Sequence, residues 1–129
     1  MTSKVNYLGD LRTSAIHIAS AKNIITDAPI DNQGKGEAFS PTDTVATALA
    51  SCLLTIMGIK ARDLNIDIKN TTAEVAKIMT SKPRRISEIQ ITVNFTKSYD
   101  QRIKKILEKA ALACPVSNSL HPDLKQNIL

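Results

Sequence analysis

The chain has 129 residues, of which 43% are apolar and 22% charged, and 17 Lys+Arg against 12 Asp+Glu give a formal net charge of +5. This length predicts one folded domain, residues 1–129, with a hydrophobic core of its own. The composition excludes disordered, collagen-like and disulfide-stapled proteins. Two Tyr and two Phe are too few aromatic rings for base stacking, so we expect no nucleic-acid partner despite the positive charge.

Neither a secretory signal nor a membrane span is predicted. Residues 1–10 are polar and lack the apolar stretch of a signal sequence, which favours a cytoplasmic location. The longest apolar run, residues 45–59, is shorter than the about 20 residues that cross a bilayer. We therefore expect a buried core helix without membrane contact, and cysteines that a reducing compartment keeps as thiols.

The first half of the chain predicts a meander, a loop and a long helix. Short β-prone stretches between residues 11 and 26 indicate antiparallel strands. Residues 27–39 are rich in Asp, Asn, Pro and Gly, which is typical of a loop. Ser40 is a suitable N-cap and Pro41 a suitable first residue for a helix that ends near Asp63. Because this helix is apolar nearly all round, we expect other elements to enclose most of it.

The second half predicts two strands, a half-buried helix and a short final strand. Residues 66–79 and 86–95 indicate strands that are joined across residues 81–83. From Asp100 the apolar positions change to helical spacing and continue to Cys114, while the lysines share the opposite face. Pro115 ends this helix and opens a short turn, and residues 125–129 indicate a last strand.

The two cysteines are the residues with the clearest chemical potential. Cys52 lies midway along the apolar helix and Cys114 on the buried stripe of the later one, so the two thiols could face each other. Their separation fits neither a Cys-x-x-Cys motif nor half of a zinc site. A free cysteine is often only a small buried hydrophobe. However, Cys114 precedes Pro115 at a predicted helix start, where backbone N–H groups lower the pKa of a thiol.

Arg12 is the cation best placed to lie near a core thiol, at the end of the first predicted strand, although it could equally be a solvated edge residue. Glu37, Asp43 and Thr42, around the start of the long helix, could position its guanidinium. Asp43 would also favour the positive end of the helix dipole without any further role.

No metal site or phosphate loop is predicted. His17 and His121 are far apart and lack a partner at ligand spacing. Residues 34–36, Gly-Lys-Gly, lack the spacing and the Ser/Thr of a P-loop. The basic clusters are most simply a turn and a solvated helix face.

Three segments together resemble the OsmC/Ohr family of osmotically inducible and organic hydroperoxide resistance proteins. They are Tyr-Leu-Gly-Asp-Leu-Arg at 7–12, Ser-Pro-Thr-Asp-Thr-Val-Ala-Thr-Ala-Leu-Ala-Ser-Cys at 40–52 and Cys-Pro-Val-Ser-Asn-Ser-Leu at 114–120. The resemblance implies an α+β fold of the OsmC-like type. In that fold, antiparallel sheets wrap around long central helices in an interlocked homodimer, and the thiol sites form at the subunit interface.

The resemblance also implies a reaction without a cofactor. Cys52 would be the peroxidatic thiol, stabilised as a thiolate by Arg12, and Cys114 the resolving thiol that forms a disulfide with the Cys52 sulfenate. The substrate would be an organic hydroperoxide, and a dithiol reductant of the lipoyl type would restore the thiols. Better-characterised members have Glu where this chain has Thr42. The alternative hypothesis is a non-catalytic small-molecule binding or redox-sensing protein of the same fold.

Overall fold

A three-stranded antiparallel sheet builds the first of the two units into which the chain divides, Met1–Val45 and Ala46–Leu129. The computed structural model describes all 129 residues. The strands β1 (Ser3–Gly9), β2 (Arg12–His17) and β3 (Asn23–Asp27) lie side by side in chain order. The predicted meander is therefore present, with one strand more than the sequence indicates.

Strand β1 falls on residues for which the sequence predicts no strand. Its apolar side chains alternate with polar ones, and Val5 and Tyr7 pair with Ala15 and Thr13 of β2. Val5 and Tyr7 remain 60% and 67% exposed. The apolar face of this strand is therefore not buried, whereas alternating apolar residues normally mark a strand with one buried face. Arg12 begins β2 instead of ending the first strand.

The segment after β3 is the predicted loop, with two differences. Asp27 is the last residue of β3, and Ile30–Asn32 form a single 3-10 turn. The loop closes on itself through hydrogen bonds from the Gly34 N–H to the Pro29 carbonyl and from the Gly36 N–H to the Ala28 carbonyl. A side chain at Gly34 would collide with the Ala28 carbonyl, which explains the glycine.

The long helix α1 spans Pro41–Asp63, as the Ser-Pro start and the basic last turn predict. In the second unit, β4 (Thr72–Thr80) and β5 (Arg85–Asn94) are antiparallel, and β6 (Lys125–Ile128) runs parallel to β5. β4 begins later than predicted because Asn65 and Asn70 adopt positive φ in the preceding turns. The mixed α+β class that the sequence predicts is confirmed.

Helix α2 (Gln101–Ala111) and the short helix α3 (Pro115–Ser119) complete the second unit. The Asp100 side chain caps α2 by accepting a hydrogen bond from the Ile103 N–H, as its position before the helix predicts. The core of this unit combines side chains from α1, β5 and α2. Its fully buried members include Leu49, Leu53, Met57, Ile89, Ile91, Leu107 and Cys114.

Only one side of α1 is covered within the single chain, although its apolar sequence predicts cover on most sides. Ala48, Ser51, Thr55 and Ile59 share the opposite side and are exposed. The core supplies contacts along one stripe of the helix, so the other stripe has no packing partner. By length and composition alone α1 could also cross a membrane, a property that core helices of soluble proteins share.

Candidate functional site

Arg12 is held by two carboxylates in the first unit. Its Nε and Nη2 donate to Oδ1 and Oδ2 of Asp27 at 2.7 and 2.8 Å, which is the paired geometry of a guanidinium fork on a carboxylate. Nη2 also donates to Glu37 Oε2 at 3.2 Å. Asp27 is 1% exposed, whereas the Glu37 side chain is 68% exposed, so Asp27 is the principal partner.

The strand register explains why Arg12 meets Asp27. The two residues face each other across β2 and β3, at the first paired position of one strand and the last of the other. The Asp27 N–H donates to the Phe39 carbonyl, and the Glu37 N–H donates to Asp27 Oδ2 at 3.1 Å. Sheet and loop therefore both fix the carboxylate.

The charges of this cluster stabilise one another. Hydrogen bonds from Arg12 lower the pKa of Asp27 against the opposing effect of its burial. The same contacts raise the pKa of Arg12 further above its usual range. Arg12 Nη1 has no hydrogen-bond partner in the chain, so one edge of the guanidinium is occupied and the other is free.

Of the three residues predicted to position Arg12, only Glu37 contacts it. Asp43 instead accepts a hydrogen bond from the Ser40 N–H, and the Asp43 N–H donates to the Ser40 hydroxyl, which is a reciprocal capping arrangement at the start of α1. The Thr42 hydroxyl lies 3.2 Å from that of Ser40. The sequence does not point to Asp27, because the composition of residues 27–39 predicts a loop that begins at this residue. Recognition of Asp27 as a strand end opposite Arg12 would have found it.

The two thiols come together in the second unit. Both cysteines are free, and they lie close enough for Cys52 to contribute to the raised pKa of Cys114. Cys114 is fully buried and caps α3, since its Sγ accepts a hydrogen bond from the Ser117 N–H at 3.3 Å. Cys52 lies on α1 and is half-buried. A buried thiol therefore lies beside a more accessible one.

The surroundings of Cys114 act on its thiol in opposite directions. Burial raises the pKa of Cys114, and hydrogen bonds from the amides of Ser117 and Val116 lower it. A negative charge on Cys52 raises the pKa of Cys114 further. Burial and a negative charge at Cys52 therefore both disfavour the thiolate form of Cys114.

Side-chain hydrogen bonds attach α3 to the sheet and thereby fix the cap of Cys114. The Ser117 hydroxyl donates to Gln126 Oε1 at 2.5 Å, and Gln126 Nε2 donates to the Ser117 carbonyl at 3.2 Å. Gln126 belongs to β6, so the parallel strand holds the amide that faces Cys114. Gln126 is not among the predicted site residues, because nothing in the local sequence connects it with Ser117.

Comparison with known proteins places these features in a family. Residues 34–128 match the family described as OsmC-like protein. The chain belongs to the OsmC-like family. No curated protein matches it.

Solved structures of OsmC-like proteins share the fold over nearly the whole chain. An osmotic stress induced and detoxification response protein from Psychrobacter arcticus is 61% identical, with a TM-score of 0.98 and coverage of 100% of this chain and 94% of that one. An OsmC-like protein from Mycoplasma pneumoniae is 21% identical (TM-score 0.80, 98% and 92% coverage). An organic hydroperoxide resistance protein from Legionella pneumophila is 18% identical (TM-score 0.72, 99% and 95% coverage). The last two likenesses show the fold alone.

The predicted site residues of this OsmC-like protein thus form two groups. The first unit joins Arg12 to Glu37 and adds Asp27, and the second unit joins Cys52 to Cys114. No group of three or more His, Cys, Asp or Glu side chains could hold a metal ion. The chemistry that these groups support is therefore that of thiols and a fixed guanidinium.

A cavity of about 420 Å³ in the second unit lies apart from this chemistry. Neither cysteine lines it. Its lining consists of Met57, Val93, Phe95, Lys104, Glu108, Ala111, Leu112, Ile128 and Leu129.

Proposed function

We propose that this OsmC-like protein is a thiol-dependent peroxidase that reduces organic hydroperoxides. The observation that carries the proposal is the pair of neighbouring free thiols, one half-buried and one fully buried. A pair in contact can pass from two thiols to one disulfide with little movement, provided that the Cα atoms lie within about 4.4–6.8 Å. Isolated core cysteines need no such partner.

The reaction begins at Cys52. Its thiolate attacks the O–O bond of the hydroperoxide, so that the sulfur becomes a sulfenic acid and the released alkoxide takes a proton to leave as the alcohol. Cys114 then gives up its proton and attacks the sulfenate sulfur. The S–O bond breaks, water leaves and a Cys52–Cys114 disulfide forms. A dithiol reductant, for which we propose a lipoyl-type protein, reduces this disulfide to two thiols and is itself oxidised to a disulfide.

The assignment of the two roles rests on accessibility and charge. Cys52 is the more exposed thiol, and ionisation of Cys52 disfavours ionisation of Cys114. Attack by Cys52 removes that negative charge, after which the amides of Ser117 and Val116 favour the Cys114 thiolate. The same surroundings thus keep Cys114 inactive before the first step and assist it in the second. Arg12 supplies the positive charge that stabilises the Cys52 thiolate in this proposal.

We also propose that the protein acts as a homodimer in the cytoplasm. Val5, Tyr7 and Ile24 of the first sheet and Ile59 on the uncovered side of α1 are large apolar side chains that remain exposed in the single chain, and exposed apolar surface is typical of protein–protein contact sites. A second copy would bury these surfaces, at about 25 cal/mol per Å² of apolar area removed from water. The proposed dimer thus completes the cover of α1.

The test is stoichiometric oxidation by cumene hydroperoxide. One equivalent should remove both titratable thiols of the reduced protein within seconds, and mass analysis should find peptides linked through Cys52 and Cys114. Cys52→Ser and Cys114→Ser form a matched pair of variants. The first should keep Cys114 reduced, and the second should accumulate a Cys52 sulfenic acid that dimedone traps.

Two results would contradict this proposal. Slow or absent thiol loss in the wild type would favour a binding or redox-sensing protein over a peroxidase. Trapping of the sulfenic acid at Cys114 in Cys52→Ser would reverse the assigned roles. Hydrogen peroxide serves as the comparison substrate and should react more slowly, because it lacks an apolar part to bind.

A further inference from the structure

We infer that Gln126 is a positioning residue for Cys114, because it holds Ser117 at two atoms and so keeps the Ser117 N–H directed at the Cys114 sulfur. Gln126 thereby sets the rate at which Cys114 attacks Cys52 in the resolving step. This inference rests on the proposed function and deepens it. Gln126 makes no hydrogen bond to either cysteine, so it acts only through Ser117.

Cysteine is an unusual residue at the N-cap of a helix. The preferred caps are Ser, Thr, Asp and Asn, whose side-chain oxygens accept well from the backbone. At Cys114 the acceptor is sulfur, 3.3 Å from the Ser117 nitrogen. A neutral thiol is a weak acceptor, whereas a thiolate accepts a stronger, charge-assisted bond. This cap is therefore weak while Cys114 is protonated and becomes strong when Cys114 ionises.

The weak cap does not hold α3 in place before the thiolate forms. The helix has five residues, whereas an isolated helix needs about 12–15 to be marginally stable. Gln126 supplies the missing support. Its Oε1 accepts from the Ser117 hydroxyl at 2.5 Å, and its Nε2 donates to the Ser117 carbonyl at 3.2 Å. The two bonds fix the side chain and the backbone of the residue whose N–H faces the sulfur.

The sheet in turn fixes Gln126. Strand β6 pairs in parallel with β5, and Gln126 lies opposite the fully buried Ile89. Gln126 is half-buried on this core side of the sheet. Asn127, the next residue, lies opposite Gln90 and faces the other side, because successive side chains of a strand alternate. One strand thus offers a carboxamide that supports α3 and another that does not.

Few groups act on the Cys114 thiol, which makes the effect of Gln126 measurable. Cys52 is the one titratable side chain that shifts the pKa of Cys114. Once Cys52 is oxidised or joined to another sulfur, its negative charge is gone. The amides of Ser117 and Val116 then favour the Cys114 thiolate against the effect of burial. Loss of Gln126 should therefore slow attack by Cys114 and leave the reaction of Cys52 unchanged.

The experiment follows the reaction of the reduced protein with the aryl disulfide DTNB, by the absorbance of released thionitrobenzoate. The Cys52 thiolate attacks the S–S bond of the reagent, forms a mixed disulfide and releases one thionitrobenzoate. Cys114 then gives its proton to solvent and attacks the Cys52 sulfur, which releases a second thionitrobenzoate and closes the Cys52–Cys114 disulfide. Only the first phase depends on the concentration of DTNB, so one trace separates the two steps.

Gln126→Leu should slow the second phase at neutral pH and leave the first phase unchanged. Loss of a hydrogen bond to the thiolate should raise the Cys114 pKa and displace the pH–rate profile of the second phase upward by about one unit. One unit lowers the thiolate fraction about tenfold, of which greater nucleophilicity returns about threefold, so the second phase should be about threefold slower or more.

Two variants accompany Gln126→Leu. Asn127→Leu is the matched control, since it removes a carboxamide from the other face of the same strand and should leave both phases unchanged. Ser117→Ala removes one of the two bonds to Gln126 but keeps the N–H, so it should slow the second phase by a smaller factor. The double variant of Ser117→Ala and Gln126→Leu should be no slower than Gln126→Leu, because both act through the same contact.

Several results would overturn the inference. They are an unchanged or faster second phase in Gln126→Leu, equal slowing of both phases in that variant, equal slowing by Asn127→Leu, and release of a single thionitrobenzoate by the wild type. If Gln126→Leu does not fold, Ser117→Ala decides, and an unchanged second phase in Ser117→Ala would refute positioning.

The readout separates this inference from the proposed function. DTNB replaces the peroxide, so a wild type that reacts in two phases but consumes no hydroperoxide would refute the peroxidase while the positioning role is still measured. Conversely, hydroperoxide consumption by the wild type, together with equal second phases in the wild type and Gln126→Leu, would refute the positioning role alone.

Discussion

Replacement of Gly34 by alanine should disrupt the loop that supports Asp27. A Cβ at this position would lie 1.7 Å from the Ala28 carbonyl oxygen, whereas real Cβ atoms essentially never approach another atom closer than 3.0 Å. The obstacle is backbone, so no side-chain rotation relieves it. The loop would have to move by about 1.3 Å at this point to remove the overlap.

That movement should break the two hydrogen bonds that close the loop. They join the Gly34 N–H to the Pro29 carbonyl at 2.9 Å and the Gly36 N–H to the Ala28 carbonyl at 3.2 Å. A net worth of about 0.5–1.5 kcal/mol for each bond gives a loss of about 1–3 kcal/mol. With a urea m-value of about 2 kcal/mol/M, the unfolding midpoint should fall by about 0.5–1.5 M.

The assay is urea unfolding at one fixed protein concentration, since association would make the midpoint depend on concentration. Gly9→Ala is the control, because a Cβ there meets nothing within 4 Å and the cost is limited to its positive φ. That backbone strain costs about 1 kcal/mol. A Gly34→Ala protein as stable as the wild type would refute this description of the loop.

Three further predictions concern stability. Leu49→Ala should lower the free energy of unfolding by about 3–5 kcal/mol in urea titrations, because the fully buried side chain would leave a cavity in the core, and a loss below about 1 kcal/mol would contradict its burial. Ser40→Ala should lower the free energy of unfolding by about 1 kcal/mol, because it removes the hydroxyl that accepts a hydrogen bond from the Asp43 N–H. Ser119→Ala, at an exposed serine outside that cap, is the control and should lower the free energy of unfolding by less. Arg12 lowers the pKa of Asp27, so the ion pair stabilises the fold above the ordinary pKa of 3.8 and this contribution is lost as pH falls through the lowered pKa. The stability difference between wild type and Asp27→Asn should accordingly be constant near neutral pH and shrink below about pH 4, and a difference independent of pH down to acid unfolding would argue against the ion pair.

Much of the fold is readable from the sequence because its signals are local. Ser40 and Pro41 fix the start of α1 by the same chemistry that the capping hydrogen bonds display. The helical spacing after Asp100 gives α2 and its buried stripe, and Cys114 followed by proline gives the cap of α3. Each of these features depends on residues within about one helical turn of one another.

The site is only partly readable, because its contacts cross between segments. The motifs in the sequence identify Arg12, Cys52 and Cys114. Beside Glu37, however, the sequence also offers Asp43 and Thr42 as residues that position the guanidinium of Arg12. Those two residues satisfy the start of their own helix instead. The true principal partner, Asp27, depends on the register of β2 against β3, which a shift of one residue would abolish.

By itself, the sequence determined the positions of the main helices, the family and the candidate thiols, since caps, spacing and motifs act over short distances along the chain. Only the tertiary structure decided that Asp27 holds Arg12, that Gln126 of a parallel strand fixes the cap of Cys114, and that one side of α1 stays uncovered. These features depend on strand register and on packing between distant segments. Neither strand register nor packing between distant segments produces a periodic pattern in the amino-acid sequence.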